Sequence, residues 1–409
     1  MKILWDLFEK ARPDFEKGGK FEKLYPLFEA KETFTFVTPD RTKKGSHIRD
    51  ALDTKRLMST VIIALIPCVL MGIYNCGYQY YMSQGVAPQL IPCVAFGAIK
   101  VMPIIIVSYA VGGIWELIFA VVRKHEINEG FLVTGLLFPL TLPPSIPLWM
   151  VAAGVSFGVV IGKEVFGGTG MNIFNPALTA RAFVFFAYPA SISGDRVWAV
   201  TDPEKVVHGY SGATPLLVGS VPDEAKTPVL QKLGDFGETA AGERFASFDW
   251  IDCFVGLIPG SIGETSTLAC IIGAVILVAT GVGSARIMIG VLAGATCMGL
   301  LLNAAAGDDT SSFLAMPLHY HYVSGGFAFG LVYMATDPVS GCNTVLGKWI
   351  YGFLIGNLAI LIRVINPAYP EGVMLSILFM NAFAPLIDFY VVDFHIKKRR
   401  RRATEALAT

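Results

Sequence analysis

Two stretches of this chain, 57–76 and 101–122, are almost unbroken runs of apolar side chains. Each is about 20 residues long, the length an α-helix needs to cross ~30 Å of hydrocarbon. Only 16% of the 409 residues are charged and 54% are hydrophobic. Soluble globular domains carry roughly 25% charged residues, so this chain lacks the charge to clothe a water-facing surface of its size. The expectation is an all-α integral membrane protein, and a large soluble enzyme core is excluded.

Net charge is zero, with 32 basic and 32 acidic residues, but the two signs are segregated. Residues 1–56 are rich in Lys and Arg, and the C-terminal tail runs Lys397-Lys398-Arg399-Arg400-Arg401-Arg402. The polar stretch 190–252 is mainly acidic, with Asp195, Asp202, Glu204, Asp223, Glu224, Asp235, Glu238, Glu243, Asp249 and Asp252. Basic flanks stay on the cytoplasmic side. The terminal basic run therefore reads as an orientation signal touching anionic lipid, not as a nucleic-acid site. The first apolar span begins only near Leu57, so no cleavable signal peptide is expected. An amphipathic stretch over 3–15, with Trp5, Leu7 and Phe8, suits the membrane surface or a partner subunit; a partly disordered cytoplasmic arm is an equal alternative. Seven cysteines form no CxxC pair, and most lie in apolar segments as small hydrophobes. They give no disulfide framework, zinc site or iron–sulfur site.

Charges and helix breakers divide the rest into about ten spans: 57–78, 95–122, 130–143, 146–162, 174–189, 264–282, 286–303, 318–335, 348–365 and 372–393. Ten crossings place both termini on the cytoplasmic side. The inner turns would then carry Arg123-Lys124, Lys163, Arg286 and Lys348, and the outer ones Asp308-Asp309, Glu371 and the acidic insert. The domain reading is a cytoplasmic arm 1–56, a first transmembrane repeat 57–189, a periplasmic insert 190–252, a second repeat 253–394 and a basic tail 395–409. Five spans on each side of the insert make the second half upside down relative to the first, as in transporters built from inverted repeats. Spans three and six look alike: short, Gly-rich and preceded by acid-containing motifs, Asn128-Glu129-Gly130 and Gly263-Glu264-Thr265. The short apolar piece 254–258 suits a re-entrant segment.

Two irregular segments interrupt the spans. Residues 162–181, GKEVFGGTGMNIFNPALTAR, contain three glycines that break any helix before Asn175-Pro176 starts the next. Such backbone at membrane depth must be buried in protein or line a cavity. It is neither a dinucleotide fingerprint nor a P-loop; a cofactor or ion site and a tight interhelical turn both remain open. In 335–344, Asp337 precedes Pro338, where a structural turn is the expected role.

Ionisable groups inside spans are costly and are functional candidates by default. Glu116 lies about 10 Å along a helix from Arg123, and Asp388 about 13 Å from Lys397. Arg181 lies inside span five. For each, the alternative is a headgroup-level charge or a structural ion pair. Gly112-Gly113, one turn before Glu116, permits close approach of a flat ring or a neighbouring helix. His319 and His321 suggest a metal pair, but no third ligand is apparent and interfacial aromatics fit better.

The segment Ser211-Gly212-Ala213-Thr214-Pro215 is an ordinary turn by its chemistry alone. It matches, however, the Ser-Gly-Ala-Thr motif at which sodium-pumping NADH:quinone reductases attach FMN through its phosphate to a threonine. Residues 125–149 (HEINEGFLVTGLLFPLTLPPSIPLW), 162–195, Gly-Glu-Thr-Ser at 263–266 and MATDPVSG at 334–341 look like the same family. Over essentially residues 1–400 the chain resembles the B subunits of these bacterial enzymes. The D subunits of Rnf ferredoxin:NAD complexes are the near relatives, and the long N-terminal arm and HEINEG segment favour the B subunits.

The resemblance implies a urea-transporter-like fold of two inverted five-helix repeats, in a six-subunit complex of the bacterial inner membrane. It implies covalent FMN on Thr214, flanked by Ser211, Gly212 and Ala213, and contacts with riboflavin. It further implies electron delivery to ubiquinone coupled to Na+ export, with NADH bound elsewhere in the complex. The same resemblance places Gly112, Gly113 and Glu116 at the quinone headgroup as an expectation, and Glu116 and Asp388 on the sodium path. A passive small-solute channel of the same fold is the alternative from another class, since fold does not fix function.

Overall fold

The computed structural model describes residues 2–16, 18–36, 42–46, 48, 53–124, 127, 129–208, 210–221, 227–237, 248–307, 311–366 and 369–408. His125, Glu126, Asn128, Asp308-Asp309 and the insert acids Asp223, Glu224, Glu238 and Glu243 lie outside these residues.

The described residues form helices and no strands. The arm contributes α1 (Lys2–Phe15) and α2 (Tyr25–Thr35). The apolar face of α1 packs on α2 through rings, with Trp5 5.0 Å from Phe36 and Phe15 4.9 Å from Phe28. Next come α3 (Thr54–Ser83), α4 (Leu90–Arg123), α5 (Gly130–Leu140), α6 (Leu148–Val160) and α7 (Pro176–Ala187). The insert holds α8 (Pro215–Ser220) and α9 (Val229–Asp235). After it follow α10 (Trp250–Val255), α11 (Thr267–Ala279), α12 (Ala285–Ala305), α13 (Leu318–Val323) and α14 (Phe327–Phe329), which runs into a π-helical turn at Gly330–Met334. The last two helices are α15 (Val345–Ile365) and α16 (Val373–Ala408).

Local chemistry fixes many of these starts. Asp53, Asn175, Thr214, Ser266 and Thr344 each accept a backbone N–H from the first turn of α3, α7, α8, α11 and α15. These are the side chains that satisfy orphan donors at helix N-termini. Pro176 and Pro215 occupy the first helical position, where a missing N–H costs nothing.

Among the described residues, six segments are long and apolar enough to cross a membrane: α3, α4, Leu148–Phe166, α12, α15 and Val373–Glu405 of α16. Each of the ten apolar segments read from the sequence contains helix, but α5, α7 and α11 have only 11, 12 and 13 residues. At 1.5 Å per residue they reach about 16–20 Å, short of the ~30 Å hydrocarbon core. The segment at 318–335 is broken into α13, α14 and the π-helical turn. At the other extreme, α16 continues through the basic run as one helix of 36 residues, so the tail is no separate element.

The long helices pack as α12 on α15, α3 on α4 and α11, and α15 on α16. Glycine permits the close α12–α15 contact: a Cβ on Gly294 would meet the Phe353 carbonyl oxygen at 2.0 Å, and one on Gly356 the Val291 carbonyl oxygen at 2.0 Å. Small residues four apart let helix backbones touch. Two backbone hydrogen bonds, Ile262 to Leu142 (3.0 Å) and Gly263 to Leu140 (2.7 Å), join the end of the α5 segment to the loop before α11.

The two ends of the bundle differ. The insert covers one end, with Val207 N–H bonded to the carbonyl of Ser83 (3.0 Å) and Ser145 Oγ to the carbonyl of Val197 (2.6 Å). The starts of α3, α5 and α7 meet at the other end around a cavity of about 80 Å³ lined by Met58, Gly130, Lys163, Asn175 and Asp337. The apolar piece at 254–258 is the end of α10 followed by Gly256, whose φ of 100° turns the chain.

Candidate functional site

Thr214 sits at the mouth of the insert. Its backbone is extended (φ −83°, ψ 156°), as the following proline requires, and its Oγ1 accepts the Leu217 N–H at 3.3 Å. Ser211 Oγ accepts the Ala213 N–H at 3.3 Å. Gly212 and Ala213 are buried, while Ser211 and Thr214 are half-buried. A Cβ on Gly212 would lie 2.7 Å from the Asp195 carbonyl oxygen, so the small residue there serves close packing within the insert.

Thr214 lines a cavity of about 220 Å³ that joins the insert to the helical body. Trp198 and Phe185 supply apolar walls, and Arg181, Glu264, Glu371 and Tyr369 line the same space. Arg181, 6% exposed, bridges two acids: NH1 reaches Glu264 Oε1 at 3.2 Å and NH2 reaches Glu371 Oε2 at 2.5 Å. The Tyr369 hydroxyl donates to Glu371 Oε2 at 3.3 Å. Glycine shapes the wall here, since a Cβ on Gly326 would stand 2.8 Å from Glu264 Cδ.

Glu116 is buried on α4 and ion-paired with Lys163 from the loop after α6. Lys163 Nζ also lies 3.5 Å from Glu164 Oε1 and donates to Thr169 Oγ1 at 3.1 Å. Glu164 in turn pairs with Arg123 at 3.2 Å. The lysine and glutamate of GKE thus tie the glycine-rich loop to α4 with two acids against two bases. Gly112 and Gly113 behave differently. A Cβ on Gly112 would strike Phe131 of α5, whereas one on Gly113 meets nothing within 4 Å. Gly112 is therefore a helix-packing position, and Gly113 faces open space one turn from Glu116.

Asp388 belongs to a different cluster. Its Oδ2 accepts the Asn343 N–H at 2.7 Å, and its Oδ1 accepts the Thr344 N–H at 3.1 Å and the Thr344 hydroxyl at 2.5 Å. It fastens α16 to the start of α15. Asp337 likewise holds its own turn, accepting from Val339 N–H (3.1 Å) and Ser340 Oγ (2.7 Å). His321 is 1% exposed and belongs to the core, correcting its reading as an interfacial residue; its carbonyl accepts from the buried Arg363 at 2.7 Å.

The sequence brought Arg181 to notice but not its partners. Glu264 and Glu371 lie 83 and 190 positions away along the chain, so only the fold brings the three together. The signal in the sequence was an arginine inside an apolar span, which must find a counter-charge.

A family profile described as NQR2, RnfD, RnfE matches residues 41–397. The chain belongs to the NQR2, RnfD, RnfE family. A relative from Azotobacter vinelandii, named as the B subunit of a Na(+)-translocating NADH-quinone reductase, is 48% identical over 98% of this chain and 99% of its own. A protein of the same name from Stutzerimonas stutzeri is 47% identical, covering 96% of this chain and 98% of its own. One from Pseudomonas aeruginosa is 46% identical over 98% of this chain and 99% of its own. Membership of this family covers the insert and both sets of membrane helices together, and the similarity to these relatives takes in the N-terminal arm as well.

Proposed function

We propose that this chain is the membrane subunit of a redox-driven sodium pump that passes electrons to ubiquinone. The carrying observation is near-half identity over the full length of relatives named as sodium-translocating NADH-quinone reductase subunits. In this reading five further subunits complete the complex in the bacterial inner membrane. NADH binds one of them, and both termini of this chain face the cytoplasm. The basic tail and the acidic insert lie at opposite ends, as the positive-inside rule asks.

Covalent FMN on Thr214 and contacts with riboflavin belong to the same proposal. Thr214 would carry the flavin as a phosphoester, with Ser211, Gly212 and Ala213 shaping its rim and Trp198 and Phe185 walling the ring. When bound, the flavin supplies one- and two-electron redox chemistry that no side chain here offers. The quinone headgroup is assigned to the open face at Gly113, beside Gly112 and Glu116. The sodium path is assigned to Glu116 and Asp388. A fold of ten spans in two inverted five-helix repeats, like the urea transporters, belongs to the same proposal. Spans three and eight, which would correspond, are both interrupted: α5 has only 11 residues, and 318–335 is broken into α13, α14 and a π-helical turn.

The test is a denaturing gel of the intact complex viewed by flavin fluorescence. The band of this chain should fluoresce, and Thr214→Val should abolish the signal while the polypeptide persists. Thr214→Asn keeps a helix-capping side chain without an esterifiable hydroxyl, and it should lose the band as well. A fluorescent band surviving in either variant refutes the attachment.

A further inference from the structure

The cavity beneath Thr214 contains an unpartnered carboxylate oxygen. Glu264 and Glu371 both pair with Arg181, and a second buried guanidinium, Arg363, stands against the Glu371 carbonyl at 3.3 Å. The acids are not equally served. Glu371 Oε2 receives both Arg181 and Tyr369, whereas Glu264, 4% exposed, uses only Oε1. Its Oε2 is buried and has no hydrogen-bond partner among the described residues. Ser261 stands beside the same carboxylate, and Ser261 and Thr265 both line the cavity.

A buried carboxylate oxygen with neither solvent nor a hydrogen-bond donor is costly. A proton or a bound cation would offset it. The hydroxyl oxygens of Ser261 and Thr265, which line the same cavity, suit a hard ion. Among the described residues no group of three or more His, Cys, Asp or Glu side chains could hold a metal ion, so a divalent site is not built here. We infer that Glu264, with Ser261 and Thr265, forms a sodium site in the cavity at the insert end of the bundle. This rests on the sodium-transport part of the function proposed above, and it is independent of flavin attachment at Thr214. Arg181 is a positioning residue here: it fixes Glu264 Oε1 and leaves Oε2 to the ion.

The experiment uses the intact complex and measures quinone reduction against sodium concentration at several pH values. Glu264→Gln should raise the half-saturating sodium concentration by about tenfold or more, with the covalent flavin band retained. Ser261→Ala and Thr265→Val should each raise it by a smaller factor. An unchanged sodium curve in Glu264→Gln with a displaced pH profile would assign the charge to a proton and overturn the site. Should Glu264→Gln fail to assemble, unchanged sodium curves in both hydroxyl variants would overturn it equally. A wild-type complex with no sodium dependence would instead overturn the sodium-transport reading together with this site.

Discussion

Gly113→Ala separates a ligand site from a packing site, because its neighbour Gly112 supplies the contrast. A Cβ at Gly112 would stand 2.3 Å from Phe131 Cζ, 2.4 Å from Phe131 Cε2 and 3.1 Å from Val155 Cγ2. Phe131 is only 6% exposed, so its ring must retreat by more than about 1 Å within a filled interior. Overpacking of that kind costs about 1–3 kcal/mol, and Gly112→Ala should destabilise the protein whatever binds there. At Gly113 the added methyl meets nothing. Replacing an interior helix glycine there gains about 1 kcal/mol of helix propensity. Any loss of function in Gly113→Ala must then come from something the chain itself does not contain. If that is a quinone ring seated against the glycine, one methyl group in a tight pocket changes affinity by about 10–200-fold. The assay is a quinone-site inhibitor titration of quinone reduction by the intact complex, beside NADH oxidation with an artificial acceptor. The inhibitor curve should shift by at least about tenfold while the artificial-acceptor rate holds. An unchanged inhibitor response would refute the assignment. So would a complex that no longer assembles, since the open face of Gly113 would then be a contact with a neighbouring protein of the complex.

Asp388→Ala strips acceptors from two backbone N–H groups and the Thr344 hydroxyl, a loss of about 1–3 kcal/mol at the α15 start. If Asp388 also serves the ion, half-saturating sodium should rise in turnover assays; lower turnover with an unaltered sodium curve would leave capping as its whole role. Gly356→Ala sets a methyl 2.0 Å from the Val291 carbonyl and 2.6 Å from the Ala295 nitrogen, both rigid backbone. It should lower the melting temperature of the complex, reflecting about 1–3 kcal/mol of overpacking, and an unchanged melting curve would refute close α12–α15 packing.

The helical content and the membrane character were legible because hydropathy reports them directly. Span length was less so. Hydropathy counts apolar residues, whereas a helix ends on stereochemistry: α5 stops ahead of Pro143-Pro144, and Gly281, with φ of 72°, follows the end of α11. The break between α13 and α14 falls at Ser324-Gly325-Gly326, inside an otherwise apolar run. The basic tail stayed helical because Lys and Arg are good helix formers, and Lys397–Asp393 (2.7 Å) and Arg401–Glu405 (2.9 Å) support successive turns. At the sites, an acid within a span was visible, but its counter-charge was not. Glu116 finds Lys163 in a loop that reads as a simple boundary, and Arg181 finds its acids across the whole chain. Thr214 is the reverse case. Its local chemistry is that of an ordinary helix cap, and only the resemblance and the cavity beneath it mark it out.

The two buried charge clusters differ in how fully their carboxylates are partnered, and that difference bears on where an ion can rest. Glu116, Lys163, Glu164 and Arg123 pair two acids with two bases, and Lys163 contacts both acids. A neutral cluster of this kind holds α4 to the glycine-rich loop and presents no net field to a cation. To bind sodium at Glu116, Lys163 must first move away, at the expense of a buried ion pair. In the Arg181 cluster Glu264, which lines a cavity, keeps a buried oxygen with no hydrogen-bond partner among the described residues. On the proposed path, an ion entering near Glu116 meets a cluster that opens only when an ion pair breaks, whereas the insert end offers the unpartnered oxygen of Glu264. In the proposed pump, transport from the tail end to the insert end would require an energy input at the first cluster and a means of release at the second. A quinone beside Glu116 and a flavin beside Glu264 would put a redox centre within reach of each. The placement of Gly113 and Thr214 at opposite ends of the same bundle is what makes that arrangement available to one chain.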